Sequence, residues 1–358
     1  MDAPELMPAI AAFGCATTLD LPTEPIDDAA FRRVLSRAAG QRLVGMMAAA
    51  VAADAFAVTD DQRDRLAQTE QRWAVQALHV EQLLLALVDV LSPGGIEYRV
   101  FKGPALARTV YPDPSWRPFA DVDLLVRGAD FDQARSLIVG ALGAEQPVPE
   151  LRPGFDREFG KEALLKVDGR YEIDLHRTFV TGPIGLTIPL EELFQRGSTF
   201  ELAGRELCTL DPLHAFLQTC INAAVGDFPP RTCSLRDVAQ LAPMVADCHD
   251  EVAATAARWR CGLALKRALE LTQSGLGLDS MPTIAHRAGA VERLGMRSYL
   301  TPARSYTRPA ASLLAIRGFG PRLRYLRAIV SPQPAYLESR GWSRRAHAKR
   351  ALTRLGRR

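Results

Sequence analysis

The chain has 358 residues, 47% of them hydrophobic and 24% charged, the make-up of an ordinary folded protein with room for two subdomains. That composition excludes wholesale disorder. The six cysteines (Cys15, Cys208, Cys220, Cys233, Cys248 and Cys261) form no C-x-x-C pair, so they read as buried free thiols rather than zinc ligands or disulfides. The net charge of +3 hides an uneven spread: Arg317 to Arg358 holds twelve Lys/Arg against Glu338 alone, a local excess of +11, so the other residues sum to −8. Such a tail reads first as a solvated basic helix; RNA, anionic lipid or an acidic partner are the alternatives. No basic region precedes the first apolar residues, which argues against a signal peptide. The apolar run Leu83–Val90 is broken by Asp89, stops at Ser92-Pro93-Gly94-Gly95, and is too short to span a bilayer. The expected compartment is the cytoplasm.

In chain order, residues 1–26 carry several prolines and little periodicity, and read as an irregular lead-in. From Asp27 the residues Phe31, Val34, Leu35 and Ala38 fall at helical spacing, with Asp27 or Asp28 as cap. Leu43–Ala57 reads as a second helix. Thr59-Asp60-Asp61-Gln62 opens a third that runs to about Leu91. A short strand at Tyr98–Phe101 runs into Lys102-Gly103-Pro104, where proline suits the first turn of a helix. Val122–Val126 is a second strand and Ala129–Leu142 a helix. Lys161–Val167 and Arg170–Leu175 form a hairpin across Asp168-Gly169; Thr199–Leu202 and Glu206–Leu210 form another across Ala203-Gly204. From Asp211-Pro212 the pattern is helical: about 212–225, 234–247, 250–273 and 283–296, then segments near 309–318 and 321–330 and the basic 343–356. The expected fold is α+β. It has an N-terminal helical layer (1–95), a small mixed-sheet α/β core (96–210) and a helical C-terminal domain with a basic tail (211–358).

The chemistry concentrates in Arg117-Pro118-Phe119-Ala120-Asp121-Val122-Asp123. Residues i and i+2 of a strand share a face, so Asp121 and Asp123 present two carboxylates together, which repel unless a cation lies between them. Hard oxygen ligands suit Mg²⁺ or Mn²⁺ with a phosphate completing the shell. Lys102-Gly103, between strand and helix, suits a phosphate. Further on, Glu172, Asp174 and His176 share one face of a strand and offer a third carboxylate, a base or a hydrogen-bonded buried histidine. Arg117 reads either as a bidentate phosphate clamp or as half of an ion pair.

Taken together, F-K-G-P-x-L, Tyr111-Pro112, R-P-x-x-D-V-D-L-L-V and E-I-D-L-H resemble the uncharacterised nucleotidyltransferase family of the DNA polymerase β-like superfamily. The likeness is good over Tyr98–His176 and weaker through 210–241 and 322–337. It implies a small mixed sheet, a divalent metal, and transfer of a nucleotidyl group from an NTP, ATP first, to an acceptor. It places Asp121, Asp123 and Asp174 as the metal-binding and catalytic acids and Lys102 and Gly103 in the phosphate loop; Glu172, on the same strand face as Asp174, is the reserve third ligand. Lys-Gly stands where the wider superfamily has Gly-Gly or Gly-Ser, so the loop's hydroxyl is missing and Lys102 must compensate by charge. Asn222 stands where close relatives tend to have histidine, and Asp237 matches an acidic position read as structural. Some relatives sit with peptide natural-product biosynthesis, which makes a peptide one expected acceptor. Two alternatives remain: sugar transfer from a nucleotide-sugar donor, and a non-catalytic protein that binds a nucleotide or partner on the same fold.

Overall fold

The computed structural model describes residues 3–227, 229–300 and 307–343. Its helices begin with α1 (Ala3–Ala12), α2 (Asp28–Gly40), α3 (Val44–Ala52) and α4 (Asp60–Leu91), followed by strand β1 (Tyr98–Val100) and α5 (Gly103–Thr109). β2 (Asp121–Val126), α6 (Phe131–Leu142) and the short α7 (Phe155–Glu158) lead to β3 (Glu162–Val167) and β4 (Tyr171–His176). Two short helices, α8 (Pro183–Thr187) and α9 (Glu192–Gln195), precede β5 (Ser198–Leu202) and β6 (Arg205–Thr209). The rest is helical: α10 (Pro212–Ile221), α11 (Thr232–Leu241), α12 (His249–Trp259), α13 (Gly262–Gly275), α14 (Ala290–Leu300), α15 (Thr307–Ala315), α16 (Phe319–Val330) and α17 (Pro334–Ser339).

The strands form one mixed sheet in the order β3-β4-β2-β1-β6-β5. The β2–β4 and β1–β6 pairs are parallel and the others antiparallel. Alternation decides what each face does. Val122, Leu124 and Val126 of β2, with Ile173 and Leu175 of β4, point to the face covered by α4 and α6 and form one core. Asp121 and Asp123, with Glu172 and Asp174, share the opposite face. α4 starts on the capping box read from Thr59 and Gln62 and is 32 residues long. By length and composition it is long and apolar enough to cross a membrane, unlike the Leu83–Val90 run taken alone; Leu84, Leu87 and Leu91 of its last turns are fully buried on the sheet.

A second core joins the N-terminal helices to those after Asp211. Leu6 and Ile10 of α1, Phe31 and Val34 of α2, and Met46 and Met47 of α3 are buried in one cluster with Phe216, Val238, Trp259 and Leu265. The expected irregular lead-in contains α1 over Ala3–Ala12, which packs on α2 and α11; residues 13–26 are irregular as read, tied down where Thr18 N–H donates to Gly277 O at 2.9 Å. Periodicity missed α1 because its Ala-rich sequence buries nearly all round and leaves no polar stripe.

The helices beyond Asp211 break where their own residues dictate. Asp211 caps α10 by accepting from the Leu213 and His214 N–H groups, as its pairing with Pro212 predicts. α10 runs into a π-helical turn at Asn222–Gly226. The predicted 234–247 helix ends at Leu241 and tightens into a 3₁₀ stretch with Pro243 in its first turn. The predicted 250–273 helix is two, divided where Arg260 adopts the left-handed conformation (φ 56°). α14 starts at Ala290, later than the expected 283. Apart from Ser343, the basic stretch 343–356 lies outside the described residues.

Candidate active site

The register of the β2–β4 pair builds the site. Asp121 lies opposite Glu172, Asp123 opposite Asp174 and Leu125 opposite His176. β3 adds Glu162 opposite His176. One end of the sheet thus gathers Asp121, Asp123, Asp174, His176 and Glu162. Lys102 reaches the same place because β1 is hydrogen-bonded to β2, Phe101 N–H donating to Asp123 O at 3.2 Å.

Each acid has a different environment. Asp123 is 3% exposed, and its Oδ1 accepts from Lys102 Nζ and from His176 Nε2, both at 2.7 Å. Burial opposes its ionisation, but Lys102 and His176 outweigh burial and hold the carboxyl far below the usual range. Burial lowers the His176 pKa, with Asp123 opposing, while the Lys102 ammonium is held on by Asp123 against the cost of its burial. Asp121 is gripped by Arg42 through two hydrogen bonds of 3.1 and 3.2 Å. Asp174 differs from both: among the described residues its carboxyl accepts no hydrogen bond and joins no ion pair. Burial pushes it up to about 7, with the charges of Glu162 and Asp123 adding to the effect.

This pattern fits a divalent cation. Ligand atoms of Asp123, Asp174 and His176 lie within 4.8 Å of one another. Both partners of Asp123 occupy Oδ1, so Oδ2 and the whole Asp174 carboxyl are left as hard oxygen donors facing one cavity of about 290 Å³. Crowded acids that cannot all ionise lack a positive charge, and a metal there would lower the pKa of Asp174. His176 Nε2 is already used on Asp123, so it orients that ligand rather than competing for the ion.

Lys102 has φ 55° and ψ −148°, a conformation costly for any residue with a Cβ, and Gly103 follows at φ 24°. From that position the lysine ammonium reaches Asp123 and lines the cavity. Arg117 does not reach the site. It is 5% exposed; its Nε and Nη2 donate to Asp237 at 2.7 and 2.8 Å, and its Nη1 donates to Pro118 O. Tyr111 Oη donates to the same Asp237 at 2.6 Å. Arg117 is therefore half of a buried pair that ties the β2 approach to α11, which corrects its reading as a phosphate clamp. Glu172 is paired with Lys166 at 2.8 Å and does not line the cavity. Asn222 does line it, from the π-helical turn, and donates to Ser234 Oγ at 3.3 Å.

Sequence reasoning missed Glu162, Arg42, Arg231 and Arg308 in this neighbourhood. For Glu162 a signal existed: in the hairpin across Asp168-Gly169, the position opposite His176 is two residues along the face from the one opposite Asp174. For Arg42, Arg231 and Arg308 there was none, because they come from helices and loops distant in sequence.

Comparison with known proteins then bears on this geometry. No curated protein matches the chain. Among solved structures, an antigenic nucleotidyltransferase-like protein from Paracoccidioides brasiliensis is similar at 15% identity, covering 59% of this chain and 97% of that one with a TM-score of 0.32. The family model described as "uncharacterised nucleotidyltransferase" matches residues 27–277, which span all six strands and every acid named above. On that match, the chain belongs to the uncharacterised nucleotidyltransferase family.

Proposed function

We propose that this protein moves a nucleotidyl group from an NTP, ATP first, to a hydroxyl of an acceptor, at the acids where β2 meets β4. The observation that carries the reading is Asp174: a carboxyl facing Asp123 across a parallel strand pair, without a hydrogen bond or ion pair among the described residues, and with a pKa of about 7. Asp123 Oδ2 and Asp174 would hold Mg²⁺ or Mn²⁺, with Asp121 able to join if Arg42 releases it. The cation supplies charge neutralisation for the phosphates when bound.

The chain's own residues do the rest. Lys102 adds a fixed positive charge beside the acids and offsets the missing loop hydroxyl. His176 holds Asp123 in one orientation through a 2.7 Å hydrogen bond. The acceptor oxygen bonds to the α-phosphorus as the bond from that phosphorus to its bridging oxygen breaks. Pyrophosphate leaves with the electron pair. The hydroxyl proton passes to an Asp174 oxygen, which lies beside the reacting phosphate. Most of the rate enhancement comes from alignment and charge neutralisation, as in phosphoryl transfer generally.

The test is mass spectrometry of reactions with each NTP, Mg²⁺ or Mn²⁺, and peptide and small-molecule acceptors. The wild type is expected to add a nucleotidyl mass and release pyrophosphate, and Asp123→Asn to lose at least about a hundredfold of that rate. Full activity in Asp123→Asn would sink the assignment.

A further inference from the structure

We infer that Arg308, carried by α15 beyond the family-matched region, holds the β- and γ-phosphates of the donor nucleotide. The inference rests on the nucleotidyltransferase reading above and extends it to the part of the chain after residue 277.

The cavity over the acids has a floor and a roof. The sheet supplies the floor through Lys102, Asp123, Glu162 and Asp174. The roof includes Arg231, before α11, and Tyr299 and Arg308 from α14 and α15. With the α-phosphorus at Asp123 and Asp174, the leaving phosphates extend away from the sheet, towards that roof. A triphosphate brings more negative charge than one divalent cation neutralises, so a cation that is not already committed is needed there.

The cavity's cations are mostly committed. Arg42, just outside it, holds Asp121 at 3.1 Å, Lys102 holds Asp123 at 2.7 Å and Lys161 holds Glu162 at 2.5 Å. Arg231 leans on Asp227 at 3.5 Å. Arg308 meets no carboxylate among the described residues, and its Nε is buried without a hydrogen bond. It is nevertheless held in place. Its guanidinium carbon sits 4.9 Å from the centre of the Tyr299 ring. Tyr299 is 7% exposed and fixed in turn, its hydroxyl accepting from Ile184 N–H at 3.2 Å. Gly182, at φ 109°, leaves the room: a Cβ there would come within 3.0 Å of the Tyr299 hydroxyl and 3.1 Å of the Arg308 stem. A guanidinium stacked on a ring, with its Nε unpaired among the described residues, presents a rigid fork to phosphate oxygens.

The experiment is isothermal titration of the full chain with ATP and with AMP in Mg²⁺, comparing wild type, Arg308→Gln and Arg308→Lys. Arg308→Gln is expected to weaken ATP about tenfold and leave AMP unchanged, because AMP lacks the two phosphates in question. Arg308→Lys keeps a charge over Tyr299 and is expected to fall between the two, so it decides the matter should the glutamine variant not fold. ATP affinity equal to wild type in a folded variant overturns the inference and leaves the nucleotidyltransferase reading standing. Equal losses for ATP and AMP also overturn it, since they would mark a structural role. A wild type that binds no NTP with Mg²⁺ or Mn²⁺ defeats the underlying reading, and this inference with it.

Discussion

At the residue scale, the Lys102 ammonium and the His176 Nε2 crowd one oxygen of Asp123, while its neighbour Asp174 has no partner among the described residues. That asymmetry keeps one acid ionised and leaves the other short of positive charge, the place where a divalent cation fits. A second residue-scale contrast concerns Arg117. Its pair with Asp237 is buried on both sides, at 6% and 5% side-chain exposure. Asp237→Asn would leave Arg117 with an uncompensated charge, and we expect a loss of about 3–5 kcal/mol in denaturant unfolding with ATP affinity unchanged in the folded variant. A large loss of ATP affinity without a loss of stability would return Arg117 to the site. A third expectation concerns pH. Burial, with Glu150 second, lifts Asp156 to about 7. Its unfolded value is lower, so the folded state binds the extra proton. Its contribution to stability is complete below the unfolded pKa and declines as pH rises to about 7. Asp156→Asn should flatten the fall of melting temperature between pH 4 and 7 relative to wild type; an unchanged slope contradicts the assignment. The Asp-x-Asp acids were legible because i and i+2 on a strand leave no choice of face. Arg117 stayed open between clamp and ion pair because its partner lies 120 positions away. Local sequence presents an arginine beside two acids and is silent about a third on α11.

At the element scale, close approach fixes the helical layer over the site. Gly45 on α3 lies against the turn at Pro114–Trp116 that feeds β2, and a Cβ on it would overlap Ser115 O at 1.8 Å. Backbone cannot yield as a side-chain tip can. Gly45→Ala is therefore expected to cost on the order of 1–3 kcal/mol. Gly40 is the matched control, with nothing within 4 Å of its Cβ position and no positive φ. Gly40→Ala should be neutral or stabilising by about 0.4–1 kcal/mol. Chemical denaturation of both variants checks the pair; equal effects would refute the packing argument. Caps, hairpins and strand positions were readable because Asp211-Pro212, Thr59 with Gln62, and Asp168-Gly169 carry their geometry locally. The break at Arg260 was not, since a left-handed arginine has no sequence signal of the kind glycine gives.

At the scale of the whole molecule, the N-terminal helices close on the helices that follow Asp211. α1 rests on α11, and Arg236 of α11, 2% exposed, donates to the Ala11 and Phe13 carbonyls at 2.8 and 2.7 Å, serving the last turn of α1. One core holds residues from Leu6 to Tyr299, so the N-terminal helices and the C-terminal ones stabilise each other. Leu6→Ala is expected to cost about 2–5 kcal/mol and to lower hydrogen-exchange protection in α11 as well as α1. Protection lost in α1 alone would mean separate units. The same closure brings α14 and α15 over the acids, so the roof of the cavity depends on elements that a reading of the strand motifs never reaches.

The central claim is that Asp123 and Asp174 form a divalent cation site that serves a nucleotide. Mn²⁺ titration followed by electron paramagnetic resonance, with ATP present, tests it most directly. We predict that the wild type binds Mn²⁺ with ATP, that Asp123→Asn and Asp174→Asn each weaken this at least about tenfold, and that Asp237→Asn does not. Unchanged Mn²⁺ binding in both Asp123→Asn and Asp174→Asn would contradict the account.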